Sequence, residues 1–92
     1  MDVILLTQPH CDFCDQAKAV LARLSREFPL SVREIELASA HGQRLAREAG
    51  VMFAPGVLVD GEPFSYGRLS ERKLRRELRR RVQQLQDAYY TA

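Results

Sequence analysis

Cysteine is scarce in this chain: there are two among 92 residues, and both lie in the stretch HCDFCD at residues 10–15. Small secreted domains that rely on disulfides use more of them. A loop closed between Cys11 and Cys14 would constrain almost nothing of the unfolded chain, so a disulfide scaffold is excluded. Lysine is nearly absent too, with two against twelve arginines, a bias that carries no functional weight by itself. No long apolar run is present. The run from Val3 to Leu6 is far too short to span a bilayer, and neither a basic leader nor a cleavage site accompanies it. Together these features lead us to expect a protein of the reducing cytoplasm. Internal repeats, linkers and low-complexity stretches are lacking as well. With 46% apolar and 28% charged residues, the composition is that of a globular chain, and the length suits a single domain over residues 1–92.

Turn signals fall at short intervals and divide the chain into seven elements. Val3-Ile4-Leu5-Leu6 is apolar without alternation, the pattern of a strand buried on both faces, and Pro9 ends it. From Cys11 onward Ala17, Val20, Leu21, Leu24 and Phe28 recur at helical spacing up to Pro29. Residues 31–37 alternate, with Val32, Ile35 and Leu37 apolar, as in a second strand. A short helix is expected over residues 43–49, closed by Gly50. Asp60-Gly61 sits between Val57-Leu58-Val59 and Phe64-Ser65-Tyr66, a two-residue hairpin signal, and Pro63 places the second arm on a sheet edge. Ser70 is a natural N-cap for a long terminal helix whose inner face is Leu74, Leu78, Val82, Leu85 and Tyr89. The order β-α-β-α-β-β-α, with a right-handed parallel crossover in the first unit, gives an α/β fold: a four-stranded mixed sheet with three helices on both faces.

In that arrangement Cys11 stands where the first strand hands over to the first helix, at the carboxyl end of the strand. Unpaired N–H groups and the positive end of the helix dipole favour thiolate there and pull the thiol below its ordinary range. Cys14 lies one turn along on the same side. It is placed to attack a mixed disulfide formed on Cys11. His10, when protonated, would assist the thiolate, whereas Asp12 and Asp15 oppose it. Phe13 offers an apolar surface beside the nucleophile. Two other readings stand beside the redox couple: inert buried thiols, and a metal or iron-sulfur site using Cys11, Cys14, His10 and His41, which lacks a second C-x-x-C and would be completed by a second chain. The chain's own residues assign no metal site.

A helix-opening C-x-x-C followed downstream by GVMFAPG and the hairpin VLVDGEPF resembles a glutaredoxin-like protein of the thioredoxin superfamily over residues 3–80. The resemblance implies a thioredoxin-like, glutaredoxin-type fold and dithiol-disulfide exchange with Cys11 as nucleophile and Cys14 as resolving thiol. It also implies a cis bond at Pro55, which would leave the main chain of Ala54 open to pair with an extended substrate. The chain departs from the family pattern at three places. Asp12-Phe13 replaces the usual proline and tyrosine, and Gln8 stands where many relatives have a basic residue three positions before the first cysteine. The segment that clasps the amino end of glutathione reads Ser65-Tyr66-Gly67-Arg68-Leu69, in which Gly67 permits close backbone approach and Arg68 can meet a carboxylate. Glutathione is thus a candidate co-substrate and not a bound cofactor. Protein disulfides or glutathione mixed disulfides are the expected substrates, and glutathione or a reductase the electron donor.

Charge is uneven: residues 72–92 carry seven basic and two acidic side chains. A solvated helix face explains this run, since arginine stems cover apolar surface while their heads stay wet. Docking to an acidic partner is the alternative, with the protein then acting as an adaptor. No nucleic-acid motif or aromatic interleaving accompanies the run, so nucleic acid and membrane partners are not expected. A monomer or weak homodimer is.

Overall fold

The computed structural model describes residues 1–91, with side chains through Tyr89. It contains β1 (Asp2–Thr7), α1 (Asp12–Leu24), β2 (Ser31–Glu36), α2 (Ala40–Ala49), β3 (Gly56–Val59), β4 (Glu62–Tyr66) and α3 (Glu71–Thr91), in the expected order. The four strands form one sheet in the order β2-β1-β3-β4. β1 runs parallel to β2 and antiparallel to β3, and β4 pairs antiparallel with β3.

The unbroken apolar run of β1 is explained by its central position. Val3 and Leu5 pack with α1 and α3 in one core cluster, and Ile4 and Leu6 pack with α2 in another. Side chains on a strand alternate between faces, so helices cover both sides of the sheet. β2 is an edge strand and largely exposed, with Val32 at 38%. Only Ile35, and Leu37 just beyond the strand end, lean on the α2 cluster.

Three features differ from the sequence-based expectation. α1 stops at Leu24, where the Ser25 hydroxyl donates to the Leu21 carbonyl at 2.8 Å, although Phe28 still packs against the core as its spacing suggests. α2 begins at Ala40 because Ser39 is its N-cap, its hydroxyl accepting from the Gly42 N–H at 2.9 Å. Gly42 hid that start. It sits inside the helix because a Cβ there would overlap the Glu36 carbonyl. The hairpin turn follows expectation, with Asp60 and Gly61 both at positive φ (49° and 81°), and Pro63 lies on the β4 edge, where a bulge shifts the register beside Leu58.

The third difference concerns α3. Leu74 and Leu78 are fully buried and Val82 is half-buried, but Leu85 is 65% and Tyr89 81% exposed. The apolar stripe continues in sequence after the body beneath the helix has ended. Arginines of α3 do more than stay solvated. Arg75 binds Glu27 and Glu71, Arg81 binds Glu62 and Glu77, Arg80 binds Glu77, and Arg23 of α1 reaches Glu71 at 2.7 Å.

Those pairs set a pH dependence. Hydrogen bonds from Arg75, Arg23 and Arg80 hold Glu27, Glu71 and Glu77, respectively, below the usual carboxylate range. A depressed folded-state value contributes stability that is present above the unfolded value, about 4.3 for glutamate, and is lost as pH falls through the folded one. The thermal midpoint is therefore expected to be level between neutral and mildly acidic pH and to fall below about pH 4. A midpoint that rises on acidification would contradict the ion-pair assignment.

Candidate active site

After β1 the chain turns through Gln8-Pro9-His10. His10 adopts φ 54°, a left-handed conformation uncommon outside glycine. This turn delivers Cys11 in extended conformation as the N-cap of α1, with its Sγ accepting a hydrogen bond from the Cys14 N–H at 3.1 Å. The two cysteines are joined in a disulfide with their Cα atoms 5.1 Å apart. Their exposures differ sharply. Cys11 is half-buried, whereas Cys14 is 1% exposed. A large partner can therefore reach only the first sulfur. In the reduced protein the Cys14 N–H and the helix terminus would stabilise a Cys11 thiolate.

The register assembles the rest of the site. Leu6 pairs with Gly56 and Gly56 with Tyr66, so the segments ending at Pro55 and beginning at Gly67 lie at the same end of the sheet as the turn leading to Cys11. The Ala54–Pro55 bond is cis and Pro55 is fully buried, its carbonyl accepting from the Gly67 N–H at 2.8 Å. Among the described residues nothing hydrogen-bonds the Ala54 main chain. Gly67 is at φ 81°, and a Cβ there would press on the Phe53 ring at 3.0 Å.

Gln8, Cys11, Phe13, Cys14, Ala54, Pro55 and Gly67 thus all come to this end of the molecule. Arg68 follows directly and is exposed, with no ion pair or hydrogen bond to a described residue. Met52 and Phe53 at this end were not singled out from the sequence, whereas Tyr66 was read only as part of the hairpin arm and of the Ser65–Leu69 segment. Phe53 and Tyr66 pack edge to face with centroids 5.0 Å apart. Met52 (75%), Phe53 (56%), Tyr66 (45%) and Phe13 (52%) are exposed apolar side chains. The signal available for Met52 and Phe53 was the run Val51-Met52-Phe53 directly before Ala54-Pro55, of which only Val51 enters the core. Among the described residues no three His, Cys, Asp or Glu side chains converge to hold a metal, so His10 and His41 do not complete a ligand set with the cysteines. No helix among them is long and apolar enough to cross a membrane.

A mixed sheet flanked by helices, a half-exposed cysteine at a helix N-terminus, a buried partner one turn on and a cis-proline at the same sheet end define a thioredoxin-like protein with a C-x-x-C disulfide. Residues 2–79 match the family described as Glutaredoxin-like domain (DUF836), and the chain belongs to that family. No curated relative matches the sequence. Among solved structures the chain is similar to a point-mutant thioredoxin from Halobacterium salinarum NRC-1, with a TM-score of 0.63 and 22% identity over 84% of this chain and 70% of that one. That likeness concerns the fold. The family match stops at residue 79, so most of the exposed part of α3 lies beyond it.

Proposed function

We propose that this protein is a dithiol-disulfide oxidoreductase in which Cys11 is the nucleophile and Cys14 the resolving thiol. The carrying observation is the unequal exposure of the two joined cysteines at the start of α1. In the reaction the Cys11 thiolate attacks one sulfur of a substrate disulfide. A bond forms between Cys11 and that sulfur, and the other sulfur leaves as a thiolate and takes up a proton. Cys14, deprotonated, then attacks Cys11, closing the intramolecular disulfide and releasing the second substrate thiol. Two electrons and two protons pass from the protein dithiol to the substrate. An external thiol, either glutathione or the dithiol of a reductase, returns the protein to its reduced form.

Gln8, Phe13, Ala54, Pro55, Gly67 and Arg68 are the proposed substrate-contacting residues. Ala54 offers its unpaired main chain to an extended segment. Phe13 supplies apolar contact, and Arg68 a charge-assisted bond to a carboxylate. We place this activity in a single domain of the cytoplasm, acting as a monomer or weak homodimer in cell redox homeostasis.

Cys14→Ser tests the division of roles. The variant is expected to complete the first step and stop, accumulating about one equivalent of mixed disulfide on Cys11, visible as an added substrate mass that dithiothreitol removes. If no adduct forms while the wild-type protein turns over, the assignment of nucleophile and resolving thiol is wrong.

A further inference from the structure

A groove opens beside the redox turn, between α1 and β2. Thr7, Gln8 and Pro9 line it on one side, and Lys18, Glu34 and Glu36 on the other. The register puts Thr7 opposite Glu36 and Leu5 opposite Glu34. Paired residues project from the same face of a sheet, and Leu5 packs with α1. Both glutamates therefore stand on the α1 face. Thr7 is largely buried, at 8% exposure, and its hydroxyl, which has no hydrogen-bond partner among the described residues, is not sealed from solvent and lines the groove. The Glu36 carboxylate likewise has neither an ion pair nor a hydrogen bond among them. Lys18 is engaged, with Glu34 at 3.3 Å and Asp15 at 3.9 Å.

Two carboxylates face one ammonium in this groove, and exposed Asp12 and Asp15 add two more carboxylates on the first turn of α1. Exposed Phe13 and the Phe53–Tyr66 ring pair belong to the same end of the molecule. A free hydroxyl, an amide and an unpaired carboxylate in one groove form an acceptor set suited to a guanidinium or ammonium group. Glutathione, with two carboxylates against one ammonium, is repelled by the same charges.

We propose that the substrate is a protein disulfide whose reactive cysteine is flanked by a basic residue, which enters the Thr7–Glu36 groove. This inference rests on the exchange reading above. The step is the one already balanced, with the dithiol of the reduced protein as reductant and the substrate disulfide as oxidant.

The test is single-turnover kinetics of the full-length reduced protein with three mixed disulfides of nitrothiobenzoate: a peptide with arginine near its cysteine, the same peptide with glutamate in that place, and glutathione. Released nitrothiobenzoate reports the rate. At low salt the arginine peptide is expected to react about tenfold faster than the other two, narrowing to roughly twofold at molar salt, where charges are screened. Glu36→Gln is expected to reduce the low-salt ratio to about threefold or less. A ratio of rates is used because altered Cys11 reactivity would scale every substrate alike.

Equal rates at low salt for the three disulfides would overturn the preference and leave exchange standing. An undiminished ratio in Glu36→Gln would overturn the groove as its source. Failure to consume any of the three would overturn the exchange reading, and this inference with it.

Discussion

Cys11→Ser is expected to abolish disulfide exchange, lowering the rate by roughly 10³-fold or more to the uncatalysed background, while the protein keeps its fold. The loss follows from the chemistry of the attacking atom. Exchange proceeds only by a thiolate on sulfur, and a serine hydroxyl neither ionises near neutral pH nor forms a stable bond to a thiol sulfur. Cys14 cannot substitute, since at 1% exposure it is sealed from a partner that must approach along the S–S axis. The fold should persist because serine is itself a favoured N-cap and can take over the contact in which Cys11 Sγ accepts from the Cys14 N–H. The lost disulfide spans too short a loop to constrain the unfolded chain strongly. Insulin reduction followed by turbidity, with circular dichroism of the same sample, measures both halves. Residual exchange in Cys11→Ser within about tenfold of wild type would show that the reaction does not run through this thiol.

Much of this arrangement was legible before any coordinates, and for identifiable reasons. The apolar run of β1 and the Asp60-Gly61 turn are local signals whose physical cause lies within a few residues, and both appear where expected. The cysteine pair was legible because strand, proline and helix are contiguous around it. The cis bond at Pro55 was not legible from its own neighbourhood, where an ordinary trans turn proline is the favoured reading. It came from the resemblance. Gly42 misled the reading of α2 because its reason for being glycine, the Glu36 carbonyl, belongs to the end of β2 that it packs against. Phe53 and Tyr66 are separated by thirteen positions and meet only through the β3–β4 pairing. The groove beside Gln8 depended on which face of β2 carries Glu34 and Glu36, and alternation alone does not say which face meets which helix.

The terminal helix shows where periodicity fails as a guide, and it yields the second large effect. Leu78→Ala is expected to destabilise the protein by about 3 kcal/mol, since removing a fully buried leucine forfeits its transfer free energy and leaves a cavity. Against a total of roughly 5–15 kcal/mol for a small domain, that is a severe loss. Leu85→Ala, seven residues on and in the same helical stripe, is expected to change stability by no more than about 0.5 kcal/mol. Both substitutions place alanine in a helix, where its propensity is the best available, so the contrast isolates tertiary burial: Leu78 lies in the α1–β1–β3 core at 0% exposure and Leu85 at 65%. Urea unfolding of both variants measures the difference. A cost at Leu85 comparable to that at Leu78, and dependent on protein concentration, would mean that a second copy covers the outer end of α3 in solution. The same cost without concentration dependence would place Leu85 in the monomer's own core, contrary to the burial described for it.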